Sequence, residues 1–310
     1  MTTRAIITGG TGFIGSHLVR RLVSLGWDVT VLVRESSNLD NLHDVEDRIS
    51  IRSVDGTTET LVAHVNETRP DIGIHLAAQF LSDHAPEQVS SLIENTFSFG
   101  CQFAESLTLA GCNRLLTTGT SWQHDATGTS QPVNLYAALK QGYESVLDYY
   151  ASARNLQAIS LLLFDTYGPR DDRPKLFSFL KKAESATTPI AMSPGEQLID
   201  LVYVDDVINA FEVSAQRLLE SRVTIPERYA VSSGSPRPLK AIVASYEQAN
   251  DVSLNIDWGG RPYRDREVML PWQTGEPVPQ WTPRVSLEEG LQRLRASTEN
   301  NECNQVRVAG

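Results

Sequence analysis

The fold class this 310-residue chain predicts is α/β: a doubly wound parallel sheet with a smaller mixed α/β lobe interleaved with it. Three observations carry that expectation. Strand-like and helical segments alternate through the first two-thirds of the chain, the order that winds helices onto both faces of a parallel sheet. The first of these units turns from strand to helix through a cluster of glycines. Beyond Gly168 the alternation weakens into short strands and helices without a clear period.

Ala5-Ile6-Ile7-Thr8 is a short apolar strand that enters Gly9-Gly10-Thr11-Gly12-Phe13-Ile14-Gly15. Residues 16–25 carry helical spacing, and residues 27–33 return to strand character. Strand, glycine turn, helix and strand together form a Rossmann-like dinucleotide fingerprint. One glycine permits the tight turn, the next lets a pyrophosphate approach the backbone, and the third lets helix pack on strand. The pyrophosphate then rests on free N–H groups at the helix N-terminus.

The second strand ends in Val33 and Arg34. A carboxylate there would accept from the ribose 2′-hydroxyl of NAD, whereas an Arg accommodates the 2′-phosphate of NADP. Arg34 without that carboxylate favours NADPH/NADP over NAD. The alternatives are a solvated strand end and a ribose contact from Glu35.

Further strands are expected at residues 49–53, 72–76, 114–118 and 158–164, and helices at 59–67, 86–109 and 135–153. In the lobe, helices are expected near 175–184, 207–220 and 239–249, separated by strands near 201–204, 229–232 and 253–257. The resulting division is a dinucleotide-binding domain at 1–168, with part of 198–230 returning to it, and a substrate lobe mainly at 169–296. Residues 297–310 are polar and aperiodic and read as a tail without regular structure.

The net charge of −11 argues against nucleic-acid or anionic-membrane binding, though a local Arg cluster can still serve an anionic substrate. Three cysteines without metal-ligand or CxxC spacing read as free thiols, and no metal site is expected. No secretory leader precedes the first strand, and no apolar run reaches the ~20 residues of a membrane span. A cytoplasmic location is the expectation.

A second constellation is Tyr136-Ala137-Ala138-Leu139-Lys140, downstream of Thr120-Ser121 at the end of a strand. Tyr and Lys at i and i+4 project from one helix face. An ammonium beside a phenol stabilises the phenolate, giving a proton donor suited to carbonyl–alcohol interconversion. A YxxxK alone is commonplace on amphipathic helices; after a dinucleotide fingerprint and a strand ending in hydroxyls it reads as catalytic.

On these residues the chain resembles the extended short-chain dehydrogenase/reductases of the sugar-nucleotide epimerase and dehydratase type. The resemblance runs to about Arg295. It includes residues 9–15, Asp55, His75-Leu76-Ala77-Ala78, Asn95, Thr120, Tyr136, Lys140 and Tyr167-Gly168-Pro169. Tyr203-Val204-Asp205-Asp206-Val207, Trp281-Thr282-Pro283 and residues 287–291 complete it. It implies an NAD(P) enzyme acting on a nucleoside-diphosphate sugar, usually as a homodimer. Gly9, Gly12, Phe13, Ile14, Gly15, Leu76, Ala77 and Ala78 would hold the cofactor, with Asp55 near the adenine. Thr120 would bind the reacting oxygen, Tyr136 would serve as acid/base, and Lys140 would hold the nicotinamide ribose.

Departures from the pattern narrow the reaction. The dehydratases follow the catalytic Thr with an Asp-Glu pair; here Ser121-Trp122 stands there. Asp165 replaces a common Asn before Tyr-Gly-Pro, and Ile199 replaces a common Arg. Arg173, Lys175, Arg261 and Arg266 are the alternative cations for a diphosphate, each equally readable as a surface charge; Ser121 and Trp122 are further candidates at the sugar. Segments 118–124, 163–176 and 192–207 look most like bacterial 4-ketoreductases of nucleotide-activated 6-deoxysugars, of the dTDP-fucose or CDP-abequose synthase kind. A C4 ketone reduction by NADPH is therefore expected, with an NAD-retaining epimerase as the alternative. His75 reads as a core histidine, Trp272 and Trp281 as packing of the small lobe, and Asp205-Asp206 as a helix cap.

Overall fold

The computed structural model describes residues 2–220 and 223–308. The chain runs β1 (Arg4–Thr8), α1 (Phe13–Ser24), β2 (Asp28–Arg34), β3 (Ser50–Val54), α2 (Thr58–Thr68) and β4 (Ile72–His75). A short α3 (Val89–Ile93) passes through a π-helical turn, Glu94–Ser98, into α4 (Phe99–Leu109). Then follow β5 (Arg114–Thr120), α5 (Leu135–Arg154), β6 (Gln157–Leu163), β7 (Asp165–Tyr167) and α6 (Leu176–Ala183). The last third holds β8 (Ile190–Met192), β9 (Leu198–Ile199), β10 (Leu201–Tyr203), α7 (Val204–Leu219) and β11 (Glu227–Val231). It closes with β12 (Arg237–Pro238), α8 (Leu239–Asn250), β13 (Ile256–Trp258) and α9 (Leu287–Val308).

Seven strands form one sheet in the order β11-β6-β5-β4-β1-β2-β3, every pair parallel. Its strands are apolar on both faces because both faces are covered. The period of two is visible residue by residue: Ala5 and Ile7 of β1 join the core under α1 and α7, while Ile6 joins the core under α2, α4 and α5. Val31 and Leu32, Leu116 and Leu115, and Ile159 and Ala158 split between the same two cores.

A third core, around Leu180, Met192, Leu239, Val243, Tyr246 and Leu291, belongs to the small lobe. Its strands pair only two by two, β8 with β13, β9 with β12 and β7 with β10. Both α7 and β11 pack with the large sheet instead.

Two expectations need correction. Trp281 is buried in the core of the large sheet, its Nε1 donating to the Asp206 carbonyl at 3.0 Å, and Trp272 stacks on His124 at 4.4 Å. Neither tryptophan builds the small-lobe core. The last helix also continues past Ser297 to Val308, where an unstructured tail was expected; no glycine or proline interrupts it there, and residues 309–310 of that tail lie outside the described residues.

Candidate active site

The cofactor motifs and Thr120 leave the large sheet at the carboxyl ends of its parallel strands. The glycine loop follows β1, Arg34 ends β2, Asp55 follows β3, Leu76-Ala77-Ala78 follows β4 and Thr120 ends β5. The strand order reverses between β1 and β4, so the glycine loop stands at the switch point where such sheets bind ligands.

The loop fits a dinucleotide by its own geometry. Gly9 has φ +73, and a Cβ on it would stand 2.5 Å from the Ala77 backbone nitrogen. A Cβ on Gly15 would run into the Gly9 carbonyl, so α1 packs on the turn only without one. Gly12, the N-cap of α1, would meet nothing nearer than the Gly9 oxygen at 3.5 Å, leaving its outer side open to a phosphate. Phe13 is buried beneath and Ile14 is packed on the core. Leu76 nitrogen donates to the Thr8 carbonyl at 3.1 Å, fixing the segment after β4 against the loop.

Arg34 is exposed, and its Nη1 donates to Asn95 Oδ1 at 3.2 Å. Asn95 lies in the π-helical turn and is held by Gln79 Oε1 and the Ser91 carbonyl. Asp55 is solvent-exposed; its Oδ1 accepts from Thr57 N at 3.0 Å and Thr57 Oγ1 at 2.7 Å, and these bonds hold the carboxyl down at about 2. That turn precedes α2, so Asp55 has a structural task besides any contact with adenine.

Helix α5 is fixed at both ends. Asn134 caps it, Oδ1 accepting from Ala137 N at 2.9 Å, and Asn155 closes it with φ 58. Tyr136 and Lys140 share one face of it. Lys140 is 1% exposed, and its Nζ donates to the Thr118 carbonyl at 2.8 Å and to Thr118 Oγ1 at 3.3 Å. Burial pulls its ammonium down to about 8. Burial pushes the Tyr136 phenol up to about 12, and the cation that pulls against this is Arg173, not Lys140. The Lys140 ammonium is turned to β5, where Thr118 accepts from it.

Thr120 is buried, Oγ1 accepting from Trp122 N at 3.3 Å. Gln123 folds back to accept from Thr120 N at 2.8 Å, and Ser121 is buried beside it. Gln123 was readable in the sequence as the fourth residue of a T-x-x-Q capping box and was passed over. Phe80 was also missed. Its ring meets Tyr136 edge-on at 5.2 Å and Trp122 at 5.7 Å, and the Lys175 ammonium stands 3.9 Å above it.

Phe80 and Trp122 form one wall of a cleft of about 1200 Å³ between the sheet edge and the small lobe. Asp165, Arg173, Lys175 and Arg261 all line it, as does Arg264, whose guanidinium lies 5.9 Å from the Trp122 ring. Lys175 pairs with Asp165 at 3.5 Å, so the carboxylate in the common Asn position comes with its own counter-charge. Arg173 grips Asp171 with two nitrogens, at 2.6 and 2.8 Å, donates to the Thr166 carbonyl and lies 4.5 Å over Phe13. It therefore reaches the glycine-loop side of the cleft. Arg261 is exposed at the rim, and Arg266 lies outside the cleft in an adjoining recess.

Other side chains resolve as structure. His75 is fully buried among Phe99, Phe103 and Tyr143, with Nδ1 2.7 Å from Thr8 Oγ1, and burial pulls it down to about 3. His124 stacks on Trp272 away from the wall that Trp122 forms. Asp205 and Asp206 do not cap α7, whose N-cap is Tyr203. Asp205 pairs with Arg293 at 3.1 Å, and Asp206 accepts from the backbone of Arg284 and Val285. Among the described residues no group of His, Cys, Asp and Glu could hold a metal, and no helix is long and apolar enough to cross a membrane.

Known proteins with this architecture agree with it. The chain is 28% identical to a CDP-abequose synthase of Yersinia pseudotuberculosis, over 86% of this chain and 91% of that one. It is 30% identical to a UDP-glucose 4-epimerase of Mycolicibacterium smegmatis, over 93% and 96%. Its fold superposes with a TM-score of 0.83 on a UDP-glucose 4-epimerase of Thermotoga maritima, at 21% identity, over 96% of this chain and 99% of that one. The profile of the NAD dependent epimerase/dehydratase family matches residues 5–229, and the chain belongs to that family of NAD(P)-using, sugar-nucleotide-modifying enzymes.

Proposed function

We propose that this enzyme reduces the C4 ketone of a nucleoside-diphosphate-4-keto-6-deoxyhexose with NADPH, working as a cytoplasmic homodimer. The observation that carries the reading is the end of β2, where Arg34 projects and Val33 stands in place of a ribose-binding carboxylate. A 2′-phosphate is accommodated there, and a reductase consumes NADPH where an epimerase recycles a tightly held NAD. Two features support it. Trp122, two residues after Thr120, lines the cleft where a dehydratase would present its carboxylates, so the motif itself holds no acid and base to remove a C5 proton and expel a C6 hydroxyl. CDP-abequose synthases, which are ketoreductases, are among the relatives.

Gly9, Gly12 and Gly15 with Phe13 and Ile14 would hold the dinucleotide, backed by Leu76, Ala77 and Ala78, with Arg34 on the 2′-phosphate. NADPH bound there supplies the hydride for C4. Thr120 orients the ketone oxygen by hydrogen bond, and Tyr136, with its phenol protonated at working pH, gives its proton to the forming alkoxide. Lys140 would hold the nicotinamide ribose. Lys175 and Arg261 meet the diphosphate, and Ser121, Trp122 and Asp165 meet the sugar.

Purified protein given NADPH and dTDP-, CDP-, UDP- or GDP-4-keto-6-deoxysugars should oxidise one NADPH per sugar and place deuteride from the nicotinamide at C4 alone. Tyr136→Phe should lower kcat by about 10²–10⁴. Sugar conversion without net NADPH loss would establish internal hydride return and the epimerase reading instead.

A further inference from the structure

Phe80 is a large apolar side chain, 40% exposed, on an irregular segment that lines the cleft. Loop side chains are ordinarily mobile, but the backbone that carries this one is clamped from both sides. Fully buried Thr96 accepts from Gln79 N at 3.3 Å and donates to the Gln79 carbonyl at 3.2 Å. Asn95 Nδ2 donates to Gln79 Oε1 at 3.1 Å. Beyond Phe80, Asn134 Nδ2 donates to the carbonyls of Leu81 at 3.2 Å and Ser82 at 3.0 Å. The other end of the same amide caps α5, two positions before Tyr136. One side chain therefore fixes both the segment that carries Phe80 and the helix that carries the phenol.

The clamp sets the geometry of three rings. Phe80 meets Tyr136 at 5.2 Å with 80° between the planes, an edge contact that aromatic pairs favour. It meets Trp122 at 5.7 Å with 52° between the planes. Trp122 comes from the turn after β5, so three separate elements bring these rings together. The cations above the rings have their own carboxylates: Lys175 pairs with Asp165 and Arg264 with Glu267. The carbon faces of such rings hold C–H groups by dispersion, whereas a hydroxyl laid on them gives up water for no comparable partner. Where C4 reacts at Tyr136, the neighbouring C5 carries a methyl in a 6-deoxyhexose and a hydroxymethyl in an ordinary hexose. That methyl is the one purely hydrocarbon substituent on the 4-keto-6-deoxyhexose ring proposed above.

We propose that Phe80 is a specificity-determining residue: its clamped ring, with Trp122, receives the C6 methyl of the sugar and turns away hexoses that carry a C6 hydroxyl. The proposal rests on the reading that C4 reacts at Tyr136, and not on whether the hydride is spent or returned. An apolar site separates substrates that differ by one small group by about 10–200-fold, and this open cleft belongs at the tenfold end.

The test uses pairs of sugar nucleotides that differ only at C6: dTDP-6-deoxygalactose with dTDP-galactose, dTDP-6-deoxyglucose with dTDP-glucose, and the same pairs on CDP, UDP and GDP. Calorimetry on the NADP-loaded enzyme gives the affinity for each, and the initial rate of NADPH appearance gives its oxidation at C4. Wild type should bind the 6-deoxy member of a pair about tenfold more tightly, and Phe80→Ala should bring the two within about twofold by weakening that member. Phe80→Leu keeps an apolar surface and should keep most of the preference. NADPH affinity should be the same in all three proteins, which shows that the cofactor site is intact. Equal weakening of both members in Phe80→Ala, with their ratio kept, overturns the proposal and leaves the ring as a shelter for Tyr136. A wild type that binds none of the pairs, or binds both members alike, overturns it also. Failure of the reduction reading looks different: no NADPH appears from any pair, while the preference and its loss in Phe80→Ala remain.

Discussion

Arg34 shows how a single residue's setting governs the size of its effect. Its guanidinium is exposed at the strand end and already tethered to Asn95. A charge-assisted hydrogen bond to a phosphate is worth ~1.5–3 kcal/mol, and screening by salt puts an exposed one at the lower end. Arg34→Ala should therefore raise the KM for NADPH about tenfold and leave that for NADH within about twofold, since only the phosphate contact is lost. Steady-state kinetics with both cofactors measure this; a wild-type preference for NADH would remove the basis for the NADPH assignment. Arg34, Tyr136 and Lys140 were legible because spacing along one strand or helix fixes where they stand. Thr118 and Phe80 were not. Thr118 becomes the partner of Lys140 only through the placing of α5 over β5, and Phe80 meets Tyr136 from a loop 56 positions away.

At the scale of elements, sequence spacing found the strands and helices of the sheet and misjudged what ties them to the C-terminal segment. Asp205 and Asp206 look like a helix cap because they precede an apolar helical stretch. The helix instead starts at Val204, and Asp206 turns outward from it to hold another segment. Its Oδ2 accepts from Arg284 N at 3.0 Å and Val285 N at 2.9 Å, while its carbonyl accepts from Trp281. One buried side chain thus joins α7 to the approach of α9. Asp206→Ala should orphan two backbone donors and cost about 2–4 kcal/mol. Asp206→Asn keeps an acceptor in place and should cost less than half as much. Thermal unfolding of the two variants checks the order; equal melting temperatures for Asp206→Ala and wild type would show that water replaces the carboxylate freely. The same tie explains why Trp281 packs with the large sheet, a pairing no local pattern could reveal.

Over the whole molecule, the charge distribution is uneven in a way that composition hides. The chain is −11 overall, yet eight cationic and five carboxylate side chains line the large cleft. Several of the cations are answered locally: Arg173 by Asp171, Lys175 by Asp165, Lys181 by Glu184 and Arg264 by Glu267. Arg261 stands at the rim with its backbone nitrogen bonded to the Met192 carbonyl, its guanidinium directed by no ion pair found among the described residues. An acidic protein with a cationic cleft repels anions at large and attracts them at one place, and the attraction is long-ranged only while the Debye length, about 10 Å at 0.1 M salt, exceeds the gap. For a diphosphate substrate, raising salt from about 0.02 to 0.5 M should therefore raise KM about three- to tenfold with kcat within about twofold, because the reacting groups are buried and the steering groups are not. Arg261→Ala should raise KM at low salt and flatten the salt dependence, converging with wild type at high salt. Parallel salt titrations of kcat and KM decide it. If kcat falls while KM holds, the cations act on the chemical step. If Arg261→Ala leaves the titration unchanged, the attraction comes from the cations deeper in the cleft, whose partners would then have to release them when the substrate arrives.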